Sequence, residues 1–291
     1  MEKSYTILGD LPEINDPLLV VMMSGWIDTS SAAANAMELI SKETKAKTII
    51  SFDNDTFVDY RARRPIMELR EGVNTKLVWS TPEISLGQDI NGKDVLLLTG
   101  PEPDTRWHLF AETVADISID FGVRRMIGIG AYPFATPHTR AVYISCTSPD
   151  KELVANLPYI KSSVDVPAGM AAAIEHSLHD RKIQALGLWA RVPHYVASMP
   201  YPAASAALLS ALCDTGGISI DVSEMREQAS TQRERLDQLI AGNTDHAQML
   251  TQLEQNFDEQ IANGTTEINF GGPIPSGDEI AASFEKYLRE R

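Results

Sequence analysis

Two cysteines in 291 residues, Cys146 and Cys213, cannot make a disulfide-stapled scaffold. Each sits in an apolar run without CxxC or Cys/His spacing, so both read as buried free thiols, and an oxidising destination is not indicated. Long apolar runs are missing too. None approaches the ~18 residues of a membrane span, and residues 1–10 lack the basic start and apolar stretch of an export signal. A cytoplasmic protein is expected. Positive charge is scarce: 25 Lys and Arg against 40 Asp and Glu leave a net −15, which repels phosphate backbones and anionic membranes. Nucleic acid is therefore not an expected partner. The familiar catalytic fingerprints are absent as well, with no GxSxG, HExxH, EF-hand loop or GK[ST]. Gly128-Ile129-Gly130 lacks the third glycine and following helix of a dinucleotide site, and the SxxK spacings from Ser148 to Lys151 and from Ser283 to Lys286 have no SDN or KTG behind them. His176 and His179 lie three apart without an evident third ligand. Neither metal nor cofactor is expected.

What is present is ordinary globular material, 43% hydrophobic and 22% charged, in a length that suggests about two domains of roughly 150 residues each. Short Val- and Ile-rich runs bounded by Gly, Pro or Asp read as buried strands at residues 18–24, 48–52, 77–79, 95–100, 126–131, 142–147 and 184–192. Helical patterns alternate with them at 29–43, 105–121, 167–180 and 202–212, the first two opened by a capping Thr or nearby polar residue and the last two by a proline. In the second of these, Leu109, Val114, Ile117 and Phe121 form the apolar stripe. That alternation predicts an α/β layered fold with a largely parallel sheet. From residue 221 onward the strands stop, and 14 acidic against 6 basic residues accompany apolar positions at helical spacing. Gly242-Asn243-Thr244 supplies a helix stop and then a cap, so a helical hairpin is expected, packed on its own domain or between subunits. A Gly/Pro-containing linker at 263–275 and a short helix at 278–288 complete the chain. The expected division is an α/β domain over 1–220 and an acidic helical extension over 221–291.

Open α/β sheets bind ligands beyond the carboxyl ends of their strands. Four loops there stand out. Ser24-Gly25-Trp26-Ile27-Asp28 places backbone N–H groups at a helix N-terminus, which suits an anion; alternatively Gly25 makes a tight turn, Trp26 packs and Asp28 caps. Asp59-Tyr60-Arg61-Ala62-Arg63-Arg64-Pro65 concentrates arginines, with Arg61 and Arg64 as candidate holders of a small anion or acidic surface, unless they pair internally with Asp53, Asp55 and Asp59. Pro137-His138-Thr139-Arg140 and Pro193-His194-Tyr195 each put a histidine on a stiffened loop. His138 and His194 are candidates for acid–base work with Arg140 as anion holder, or for structural hydrogen bonds.

Taken together, Gly25-Trp26-Ile27-Asp28, Asp59-Tyr60-Arg61 with Arg64-Pro65, Pro137-His138-Thr139-Arg140, and Leu188-Trp189-Ala190 with Val192-Pro193-His194-Tyr195 resemble the signature stretches of the proteasome assembly chaperone 2 family. The likeness covers residues 18–217, and Pro275 to Glu279 is similar to the end of a bacterial branch with an acidic helical extension. The resemblance implies a three-layer α/β/α sandwich similar to phosphorylase and hydrolase folds, with the helical hairpin added. It also implies a homo-oligomer, a trimer being one option, and a protein client bound without catalysis. Docking through a hydrophobic-Tyr-any tail is not expected, because Tyr287 stands fifth from the end. Two functions follow. One is a non-catalytic oligomeric scaffold or assembly-chaperone-like protein. The other is an enzyme or binding protein for a small anionic ligand (nucleoside, phosphate or carboxylate) held by Gly25, Trp26, Asp28, Asp59, Arg61, Arg64, His138, Arg140, His194 and Tyr195.

Overall fold

A computed structural model describes residues 4–262. The linker at 263–275, the helix at 278–288, the Pro275 to Glu279 stretch, the Ser283/Lys286 spacing and Tyr287 lie outside the described residues. The strands are β1 (Tyr5–Ile7), β2 (Leu18–Val21), β3 (Lys47–Phe52), β4 (Ile66–Arg70), β5 (Val73–Val78), β6 (Glu83–Gln88), β7 (Asp94–Thr99), β8 (Arg125–Phe134), β9 (Ile144–Thr147) and β10 (Gln184–Pro193). The helices are α1 (Ala32–Thr44), α2 (Asn54–Phe57), α3 (Trp107–Asp120), α4 (Lys151–Asn156), α5 (Met170–Asp180), α6 (Pro202–Gly216), α7 (Ser223–Ala241) and α8 (Thr244–Ala262).

Eight strands make one sheet in the order β1-β3-β6-β7-β2-β8-β10-β9, while β4 and β5 form a separate ribbon. Pairings among β7, β2, β8 and β10 are parallel; the outer pairings, β1 with β3, β3 with β6, β6 with β7 and β10 with β9, are antiparallel. The sheet is thus mixed, parallel only in its middle. Successive side chains leave a strand on opposite faces, and both faces here are covered. Leu18 and Val20 of β2 with Val95 and Leu97 of β7 pack against α1 and α6, whereas Leu19, Val21, Leu96 and Leu98 pack against α3 and α5. Those two layers of helix around the sheet give the α/β/α sandwich. Residues buried on both sides must be apolar at every position, which is why β2 reads Leu-Leu-Val-Val without alternation.

The helices depart from their expected ends in physically legible ways. At the start of α1, Ser30 and Ser31 take left-handed φ values of 62° and 52°, a conformation costing about 1–3 kcal/mol per residue. It is held by Ser30 Oγ, which donates to Val196 O (3.1 Å), and by Asp28, whose carboxylate accepts from Ala33 N–H (2.8 Å) and Ala34 N–H (3.0 Å). Thr29 is therefore not the cap. Thr105 does not cap α3 either: its hydroxyl donates to Thr56 O, and left-handed Arg106 precedes the helix. The buried face of α3 carries Phe110, Ala111, Val114, Ala115 and Ile117, so Leu109 turns outward. Pro202 opens α6 as expected, but Pro167 precedes α5, which begins after Gly169. Asn243 accepts from Asp245 N–H and His246 N–H, starting α8 directly after α7 ends at Gly242. Met225 and Leu236 of α7 join the core shared by α1 and α6, so the hairpin packs within its own chain.

Candidate functional site

β2 and β8 are parallel neighbours whose onward connections diverge, β2 through α1 toward β3 on one side and β8 toward β9 and β10 on the other. Such a point leaves a crevice at the strand ends. The crevice is deepened by what β8 and β10 lack. Their register pairs Gly128 with Gly187 and Gly130 with Trp189, so the floor beneath α5 is bare backbone at Gly128 and Gly187, with the Trp189 ring laid over Gly130. Substitution at Gly187 shows how tightly the surrounding groups close in: a Cβ there would stand 2.6 Å from Thr147 Oγ1, 2.9 Å from Glu175 Oε1 and 2.9 Å from Trp189 Nε1. At Gly169, just before α5, a Cβ would stand 2.8 Å from Trp26 Cδ1 and 2.9 Å from Glu102 Oε1. The cavity volume is about 40 Å³, lined by Val21, Met22, Met23 and Ile27 at the end of β2, by Trp26 and Asp28, by Glu102, and by Ala171, Ala172 and Glu175 over the glycine floor and Trp189.

Three carboxylates in so apolar a setting do not titrate normally. Burial pushes the Glu175 carboxyl up to about 8, against the hydroxyl of Thr147 which lowers it. Burial also raises Glu102, opposed by the Met170 N–H it accepts from and by the nearby Arg63. Asp28 is raised by burial and lowered again by the amides it caps. Trp189 Nε1 is buried in the same place without a hydrogen-bond partner.

Of the residues singled out from sequence, Trp26 and Asp28 line this pocket. Gly25 adopts φ +120° and lets the chain run beside residues 100–102, where Ser24 N–H donates to Gly100 O and Glu102 N–H to Ser24 O. The amides expected to hold an anion are answered by the Asp28 carboxylate itself. In the second loop Arg63, rather than Arg61 or Arg64, turns toward the site, its Nε donating to both carboxylate oxygens of Asp104 (3.0 and 3.1 Å). Asp59 Oδ1 accepts from Arg61 N–H, while Arg61 and Arg64 are exposed and make no ion pair among the described residues. No arginine lines the pocket, so it lacks the anion holder the sequence suggested.

The third and fourth loops meet each other elsewhere, under the hairpin. Tyr195 Oη accepts from His138 N–H (2.7 Å) and lies 2.7 Å from His138 Nδ1, while Nε2 lies 3.0 Å from Asp237 Oδ1 of α7. The phenol therefore gives its proton to Nδ1, and the network assigns the imidazole proton to Nε2, directed at Asp237. Burial pushes Tyr195 up to about 12, so it stays protonated. Arg140 donates through Nε and Nη2 to Asp258 (2.9 and 2.7 Å) and through Nη1 to Glu254 (3.1 Å), both on α8, and these acids hold it charged. Phe257 stacks on Tyr143 at 5.1 Å. His194 is exposed with its ring edge-on to Tyr195 at 5.5 Å. Both nitrogens of His138 are thus occupied, and the loops expected to do chemistry are clamped by the extension. Among the described residues no group of three His, Cys, Asp or Glu side chains could hold a metal ion, and no helix is long and apolar enough to cross a membrane.

Glu102, Glu175 and Arg63 were not foreseen as site residues. Glu175 lies inside a helical pattern where an acidic residue is unremarked; the signal available was Gly128 and Gly187, residues on buried strands whose missing side chains leave room that larger neighbours, Glu175 among them, occupy.

The comparisons agree with this architecture. A Mycobacterium tuberculosis protein of unknown function is similar at 28% identity and a TM-score of 0.80, covering 89% of this chain and 92% of its own. A PAC2 family protein from Streptomyces avermitilis is 29% identical with a TM-score of 0.71, covering 81% and 100%. A Mycobacterium tuberculosis proteasome-assembly chaperone homologue is 27% identical with a TM-score of 0.73, covering 80% and 99%. No curated protein matches the sequence. The family model that matches, over residues 22–240, is that of the PAC2 family, and the chain belongs to it.

Proposed function

We propose that this protein is a non-catalytic, assembly-chaperone-like scaffold of the cytoplasm that works by binding protein surfaces, copies of itself among them. The observation that carries the reading is the β4–β5 ribbon. A lone two-stranded hairpin is marginally stable in water, yet this one stands outside the main sheet with Ile66 69%, Val73 61% and Leu69 51% exposed, joined by Met67, Leu77 and Trp79. Its turn, Glu71-Gly72, has positive φ at both positions, as a tight hairpin requires. An exposed apolar ribbon with two open edges is a protein-contact surface unless it is a liability. The relative named as a proteasome-assembly chaperone homologue supports proteasome subunits as the client class. In this reading residues 1–220 form the binding domain, and the extension from 221 clamps the loops around His138 and Arg140, which serve shape rather than chemistry.

The test is association of the purified chain with itself and with purified proteasome subunits, compared with an Ile66→Lys, Val73→Lys variant. Association that the ribbon variant loses, at unchanged melting temperature, is the expected result. Equal association by the variant, or no self-association by the wild type, overturns the proposal.

A further inference from the structure

We infer that the crevice between α5 and the glycine floor of β8 and β10 binds a small cationic head group, an alkylammonium or guanidinium. Its polar lining is acidic, from Asp28, Glu102 and Glu175, with no basic side chain among the lining residues. Two indoles line it as well, Trp26 at the exposed mouth and Trp189 within, and aromatic rings of this kind attract cations. The cavity of about 40 Å³ has room for roughly three waters at about 10–15 Å³ each, the size of such a head group and too small for a nucleoside.

An anion is disfavoured even though α5 begins here, because Glu102 already accepts from the first amide of that helix. Asp28 is likewise committed to the start of α1. Glu175, bonded by the Thr147 hydroxyl, has acceptor capacity left. The charged and titratable groups acting on this acidic set are Asp28, Glu102 and Glu175 themselves, with Arg63 beside Glu102 and the Thr147 hydroxyl beside Glu175. Trp189 Nε1, a buried donor without a partner, stands as close to the Gly187 position as Glu175 Oε1 does. Entry of a cation favours the ionised Glu175, which faces the ligand and is a stronger acceptor for that indole N–H than the neutral acid. The proton leaves Glu175 for solvent, so binding releases up to one proton per site.

Methylguanidinium and n-propylammonium chlorides, titrated into the full chain with acetate and acetamide as controls, test this. The readouts are tryptophan fluorescence, since two of the four tryptophans line the site, and calorimetry in two buffers of different ionisation heat, which counts protons released. Saturable binding of a cation with proton release near pH 7 is expected, weakened about tenfold or more in Glu175→Gln. Trp189→Phe, which replaces the indole by a smaller phenyl ring without the N–H, is a second variant expected to weaken binding. Saturation by acetate or acetamide in place of the cations, cation binding unchanged in Glu175→Gln, or no binding of either cation overturns the inference.

Discussion

Glu175→Gln exchanges a buried carboxyl for an amide of nearly the same shape, and the structure fixes what that should do to stability. Burial takes this carboxyl from 4.5 to about 8 in the folded state, while in the unfolded chain it ionises near ~4.3. Between those values the folded protein keeps a proton that the unfolded chain has lost. Stability contributed by this group is therefore greatest in acid and falls as pH rises, by about 1.4 kcal/mol per pH unit, amounting to about 5 kcal/mol if the whole window is crossed. Water entering the crevice reduces that total, so several kcal/mol is the working magnitude. Glu102 and Asp28, also raised by burial, tilt the same curve, but they are present in both proteins and cancel in the difference. Urea unfolding from about pH 5 to pH 8.5 measures it. Wild type and variant should be nearly equal at the acid end, with the variant gaining steadily toward the alkaline end. Parallel curves would refute the claim that Glu175 is held neutral by its surroundings.

Other consequences are as direct. Phe110→Ala empties a site where the ring lies 4.6 Å from Phe52 and 5.1 Å from Phe57, and should cost about 3–5 kcal/mol by denaturant unfolding. Gly187→Ala forces a methyl against Thr147, Glu175 and Trp189; a loss of about 1–3 kcal/mol with a change in tryptophan fluorescence is expected. Arg140→Ala removes two ion-pair anchors to α8, leaving the Tyr143–Phe257 stack, so amide exchange and proteolysis should quicken across residues 244–262 while the sheet stays protected. Asp237→Ala leaves the His138 Nε2 proton without its acceptor at the other end of the clamp, and the same segments should loosen without change in β8 or β10.

The central strands were readable because burial on both faces demands unbroken apolar runs, as in β2 and β7. The outer strands were not. β6 reads Glu-Ile-Ser-Leu-Gly-Gln, with too few apolar positions to announce itself, and the ribbon has no core to pattern against, so only residues 77–79 hinted at it. A mixed sheet followed from those missed antiparallel strands. The candidate site was half legible for a related reason. Trp26 and Asp28 sit in a loop whose composition is conspicuous, and Asp28 as a cap was one of the two readings open to it. Glu175 and Glu102 owe their character to what surrounds them in space: a glycine floor contributed by two strands far apart in sequence. The His138 and Arg140 loop looked like chemistry because its partners, Asp237, Glu254 and Asp258, lie about a hundred residues further on, beyond any local pattern.

The account stands or falls on the β4–β5 ribbon as a protein-contact surface. Sedimentation velocity of the full chain across a wide concentration range, beside the Ile66→Lys, Val73→Lys variant, tests it most directly. The account predicts an assembly of more than one copy for the wild type and a folded monomer for the variant. A variant that sediments with the wild-type assembly, or a wild type that stays monomeric throughout, would contradict it.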